Sequence, residues 1–165
     1  MSPKLNVQVV PIAEVSQTDA IVHSAKRRPV VLIVDDERVI ADTLSIILKK
    51  NGFSTLTAYD GKSALELART ASPELLISDV VMPGMTGVEL AIALAHMIPT
   101  CKVLLFSGQA ATADLLENAR NAGYNFTTLT KPVHPTDMLR RITECLTTRG
   151  TSSEATPELA VSSMS

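Results

Sequence analysis

The sequence predicts an α/β fold in which a parallel sheet carries helices on both faces. Three observations lead there. Five short apolar runs alternate with five stretches whose apolar residues recur every three or four positions. The clearest runs are continuous and rich in branched aliphatic residues, as strands covered on both faces are. Four of the five runs are followed at once by residues capable of chemistry: Asp35-Asp36, Ser78-Asp79, Ser107 and Thr130-Lys131. Parallel strands joined through single helices need right-handed crossovers, which set helices on both sides of the sheet. Of the common doubly wound orders, five strands suit 2-1-3-4-5.

Residues 30–34 read as the first strand, and a helix follows over 37–50, with Val39, Ile40, Leu44, Ile47 and Leu48 on one face. Asn51-Gly52 closes it, because glycine just past a last turn accepts the left-handed conformation. Residues 54–58 form a second strand and 62–70 a second helix. Pro73 punctuates the chain before a short third strand at 75–77. The helix at 86–97 is evenly apolar, which leaves room for a dimer face, and Pro99 lies just past its end. A fourth strand occupies 102–106 and a fourth helix 112–122, ended at Gly123. The fifth strand is 126–129 and the fifth helix 135–146, with Met138, Leu139, Ile142 and Cys145 inward.

Composition narrows the class. The chain has 165 residues, 45% hydrophobic and 19% charged, enough apolar material for one domain. Fifteen Lys and Arg stand against seventeen Asp and Glu, a formal net charge of −2. That balance argues against a dedicated nucleic-acid binder. No apolar run is long enough to span a membrane, and the N-terminus has no secretory pattern. Cys101 and Cys145 are too few for a disulfide framework or zinc site, so two reduced thiols in a cytoplasmic protein are expected. His23, His96 and His134 lack metal-ligand spacing and are expected at the surface. Residues 1–29 read as an extension or linker ending in Lys26-Arg27-Arg28-Pro29, residues 30–147 as the domain, and 148–165 as a disordered tail.

In an open α/β sheet, ligands bind beyond the carboxyl ends of the strands, where strand order reverses. Order 2-1-3-4-5 brings strands one and three together there, so Asp35, Asp36 and Asp79 converge. Like charges ~4 Å apart repel by about 4 kcal/mol at an effective dielectric of about 20, so the cluster calls for cations. Lys131 supplies one charge, and Mg²⁺ suits the remainder, since it takes one or two carboxylates, waters and a phosphate oxygen. The corresponding substrate is a phosphoryl group: one carboxylate attacks, the metal and Lys131 neutralise its oxygens, and the Ser107 hydroxyl donates to one of them.

VLIVDDE at 31–37, LLISDVVMPGMTG at 75–87, LLFSG at 104–108 and LTKP at 129–132 together resemble the receiver domain of two-component response regulators, the CheY-like family, over roughly residues 30–147. The resemblance implies a flavodoxin-like doubly wound sheet and an aspartyl phosphate formed with Mg²⁺ or Mn²⁺. It makes Asp79 the phosphoacceptor, Asp36 a direct metal ligand, Asp35 a ligand through water, and Val81 a backbone-carbonyl ligand. Ser107 matches the switch hydroxyl and Lys131 the phosphate-contacting lysine. Lys131-Pro132 is expected to be cis, and Pro83 and Gly87 match the loop after the acceptor strand. The family's usual aromatic switch residue is replaced by Thr128. The implied donors are a histidine kinase or histidine phosphotransfer protein, and output passes to an unknown downstream protein. Residues 147–165 are too few for a DNA-binding unit, so no nucleic-acid or membrane partner is expected. A domain of this kind turns over only its own aspartyl phosphate and is not otherwise an enzyme. Two rivals stand beside it. A pseudo-receiver would act as a constitutive interaction domain. A haloacid-dehalogenase-like phosphohydrolase would need aspartates two residues apart after strand one, and Asp35 and Asp36 are adjacent.

Overall fold

The computed structural model describes residues 26–108 and 112–148. The expectations for residues 1–25, for the loop at 109–111 and for the tail from 149 onward lie outside the described residues. The described elements are β1 (Val30–Val34), α1 (Arg38–Lys50), β2 (Ser54–Ala58), α2 (Gly61–Ala71), β3 (Leu75–Asp79), α3 (Gly87–Met97), β4 (Lys102–Ser107), α4 (Ala113–Asn121), β5 (Thr127–Thr130) and α5 (Pro135–Thr147). The sheet order is β2-β1-β3-β4-β5, with every adjacent pair parallel.

The continuous apolar strands do what their composition requires, since successive side chains point to opposite faces. Leu32, Val34, Leu76 and Leu105 pack beneath α2, α3 and α4 through Ala64, Ala68, Leu90, Leu94 and Ala119. Val31, Ile33, Leu75, Ile77, Leu104 and Phe106 pack beneath α1 and α5 through Ala41, Leu48, Met138 and Ile142. Each fully buried aliphatic side chain contributes about 1.5–3 kcal/mol, so both layers anchor the central strands. The edge strands β2 and β5 are threonine-rich and only partly buried.

Most boundaries fall within a residue of those expected. The third strand extends two residues further, because its backbone pairing continues as Ser78↔Leu105 and Asp79↔Phe106 after the apolar side chains end. Asp79 is therefore the last residue of a strand instead of the first residue of a loop. Thr86 is the cap of α3, not its first residue: its hydroxyl accepts from the Glu89 N–H at 3.2 Å, and the Glu89 carboxylate accepts from the Thr86 N–H at 2.8 Å. Gly52 and Gly123 adopt φ of +91° just past α1 and α4. Among the described residues no helix is long and apolar enough to cross a membrane.

Candidate functional site

The strand order reverses between β1 and β3, which pair with Val34 opposite Ser78. Asp35 therefore leaves β1 beside the point where β3 ends in Asp79. One carboxylate oxygen from each of Asp35, Asp36 and Asp79 lies within 4.8 Å of the others. The three differ in exposure. Asp35 is buried, the Asp79 side chain is 15% exposed, and Asp36 faces solvent.

Asp35 also does what a turn residue would do, since its Oδ1 accepts the Glu37 N–H at 2.9 Å where the chain turns into α1. Burial pushes its carboxyl above the usual carboxylate range, while the Glu37 amide and the Lys131 charge pull it partly back. Lys131 reaches both inner carboxylates, with Nζ 3.1 Å from Asp79 Oδ2 and 3.6 Å from Asp35 Oδ2. Burial alone would lower the lysine's pKa, but the hydrogen bond to Asp79 and the two carboxylate charges outweigh it and raise the pKa. Its backbone N–H donates to the Ser107 carbonyl at 2.9 Å, and the Lys131-Pro132 peptide is cis.

The backbone around Asp79 is clamped. The Val80 N–H donates to the Phe106 carbonyl at 3.0 Å, the Ser78 hydroxyl to the Asp79 carbonyl at 2.9 Å, and the Gly87 N–H to the Val80 carbonyl at 2.8 Å. A Cβ at Gly87 would lie 1.9 Å from the Asp79 carbonyl oxygen and 3.0 Å from Ser78 Oγ, so only glycine fits there. Met85 is similarly pressed against Gly61 at the start of α2. These supports escaped the sequence reading, which placed Gly87 only as a loop match. The one available signal was Ser78, a hydroxyl inside an apolar strand.

Ser107 ends β4, nearly buried and paired with Thr130. Among the described residues its hydroxyl makes no hydrogen bond to Asp79 or Lys131. Thr128 lies half-buried opposite Leu105, and the Val81 side chain points to solvent. His96 and His134 are both exposed. His96 Nε2 pairs with the Tyr124 hydroxyl at 2.8 Å, and His134 Nδ1 accepts the Thr136 N–H at 3.3 Å at the start of α5.

Three carboxylates facing one ammonium form an oxygen donor set with excess negative charge, which fits a hard divalent cation. A partly exposed carboxylate beside a fixed cation is also a nucleophile suited to an electrophile that carries negative oxygens.

A 2-1-3-4-5 sheet with this acidic cluster at its reversal point is the arrangement of CheY-like α/β proteins. The model of the response regulator receiver domain matches residues 31–143, and the chain belongs to that family. Chemotaxis protein CheY4 of Vibrio cholerae is 30% identical with a TM-score of 0.66, over 73% of this chain and all of that one. A receiver domain protein from Methanospirillum hungatei is 29% identical with a TM-score of 0.67, over 73% of this chain and 94% of that one. Among curated relatives, the Mycobacterium tuberculosis protein described as "Probable transcriptional regulatory protein TcrX" is 32% identical over 120 residues, 73% of this chain and 50% of TcrX. The "DNA-binding response regulator MtrA" of Mycobacterium leprae is 27% identical over 112 residues, 68% of this chain and 48% of MtrA. The chain thus spans about half the length of the curated relatives it matches. It contains the receiver domain of a two-component response regulator, a signalling domain and not an enzyme in the ordinary sense.

Proposed function

We propose that Asp79 accepts a phosphoryl group from a phosphohistidine, on a histidine kinase or a phosphotransfer protein, or from a small phosphodonor such as acetyl phosphate. The observation that carries this reading is the placement of Asp79 at the end of β3, partly exposed, with Lys131 Nζ at 3.1 Å and the Asp35 and Asp36 carboxylates beside it. An Asp79 oxygen attacks phosphorus, the bond from phosphorus to the imidazole nitrogen breaks, and its electron pair stays on the ring. Lys131 turns from Asp79 to a phosphoryl oxygen, while Asp35 keeps the ammonium in place. The Ser107 hydroxyl donates to a second oxygen.

Asp36 and Asp79, with the Val81 carbonyl, would hold Mg²⁺ or Mn²⁺, and Asp35 would act on it through water. When bound, the ion supplies positive charge against the phosphoryl oxygens. Output passes to a protein partner over α4, β5 and α5, the elements nearest Ser107 and Lys131. Thr128 offers no aromatic ring to this coupling, so Ser107 and the start of α4 carry it.

The test is intact-mass measurement after Mg²⁺ and acetyl phosphate. One added phosphate is expected, and none in Asp79→Asn. A phosphate retained at full yield in that variant would place the acceptor elsewhere, and an unlabelled parent chain would favour a constitutive interaction domain.

A further inference from the structure

The balanced composition conceals a lengthwise separation of charge. Parallel strands with helices returning between them put strand N-termini and helix C-termini at one rim of the sheet, opposite Asp79. Lys26, Arg27 and Arg28 precede β1 at that rim, Lys49 and Lys50 end α1, and Lys102 opens β4. Arg69 and Arg120 lie in the last turns of α2 and α4. The acids concentrate at the other end: Asp35, Asp36 and Asp60 follow strands, Asp79 ends one, and Glu89, Asp114 and Asp137 occupy first helical turns, outnumbering Arg38, Lys62 and Lys131 there.

At the basic rim, Glu74 is paired with Arg27 at 3.0 Å, and Glu144 with Arg140 at 2.7 Å and Arg141 at 3.3 Å. Among the described residues Lys26, Arg28, Lys49, Lys50 and Lys102 have no carboxylate within ion-pair distance. Helix dipoles account for Lys49, Lys50, Arg69 and Arg120, whose charges lie near C-terminal carbonyls. They do not account for the run at 26–28, which precedes a strand, or for Lys102, which begins one. Adjoining grooves cross this rim, one along Lys26–Pro29, one past Arg28 and Lys49, one past Arg27 and Lys102.

We propose that this rim binds the phosphate backbone of duplex nucleic acid without reading its sequence. A linear polyanion with regularly spaced charges can neutralise cations spread over several elements at once, and exposed arginines match phosphate geometry. Insertion into a lipid surface would call for exposed apolar residues. The large exposed ones, Val39, Ile46 and Val81, line none of these grooves. The net charge of −2 argues against a nucleic-acid partner only while the charges are taken as evenly spread.

The test is fluorescence anisotropy of the full chain with a labelled mixed-sequence DNA duplex, beside a scrambled duplex, phosphatidylserine vesicles and polyglutamate. Equal binding of the two duplexes is expected, with affinity falling about a hundredfold between about 50 mM and 200 mM salt if four phosphates are contacted. Lys26→Glu with Arg28→Glu should weaken binding at least about tenfold, and Lys49→Glu with Lys50→Glu should weaken it independently. Both variants should keep the parent's circular dichroism and acetyl phosphate labelling, because Asp79 lies at the opposite rim. Absence of duplex binding at low salt, binding that survives both double variants, or tighter binding to vesicles or polyglutamate would each overturn the proposal.

Discussion

At the scale of single residues, two buried positions decide most. The missing side chain of Gly87 matters to the candidate site, because an added Cβ would overlap the Asp79 carbonyl. Gly87→Ala should cost about 1–3 kcal/mol and slow acetyl phosphate labelling, since the methyl must displace Asp79 or Ser78. Gly108→Ala, where a Cβ meets nothing within 4 Å among the described residues, should change stability by no more than about 0.5 kcal/mol. Urea denaturation of the two variants checks the contrast. Cys101 gives a pH signature: burial pushes its thiol up to about 12, from 9.0. Between those values the unfolded chain has released the thiol proton and the folded chain still holds it. The folded state binds more protons there, so this thiol's contribution to stability falls as pH rises. Cys101→Ala should flatten that part of the pH–stability curve, measured by denaturation from pH 8 upward.

At the scale of elements, the strand and helix succession was legible because each apolar run has its own period and most end at a glycine, a proline or a polar or charged residue. The strand at 75–79 was cut short because Ser78 and Asp79 look like turn residues, yet ladder bonding to Leu105 and Phe106 needs no apolar side chain. Asp35, Asp36, Asp79 and Lys131 could be found from order alone, because each lies at or just past the carboxyl end of a strand. The Gly87 contact could not, since it joins a helix start to a strand end through space. α4 differs from α3 at its start. Thr86 and Glu89 cap α3 reciprocally, whereas the Thr112 side chain caps no N–H and donates to the Gly108 carbonyl at 3.0 Å. The start of α4 thus hangs on the residue after Ser107. Amide exchange with and without beryllofluoride should change protection at 107–108 and over α4, with a smaller response near Thr128. Changes confined to 35–37 and 79–82 would show that the signal stops at the site.

At the scale of the whole molecule, gathering three carboxylates is work done by the fold, so a cation that binds them stabilises the folded chain alone. The melting temperature should rise with Mg²⁺ or Mn²⁺ concentration, and Asp36→Ala should remove most of that rise in thermal denaturation. The charge separation was invisible in composition because a count carries no direction, and only the parallel topology sets most acids toward one rim and most bases toward the other. That sorting also bears on kinetics. A chain nearly neutral overall but polarised from end to end feels a torque in a neighbour's field. A donor protein presenting a positive face would turn the molecule's Asp79 end toward itself during approach, so productive collisions would become rarer as salt shortens the reach of that field.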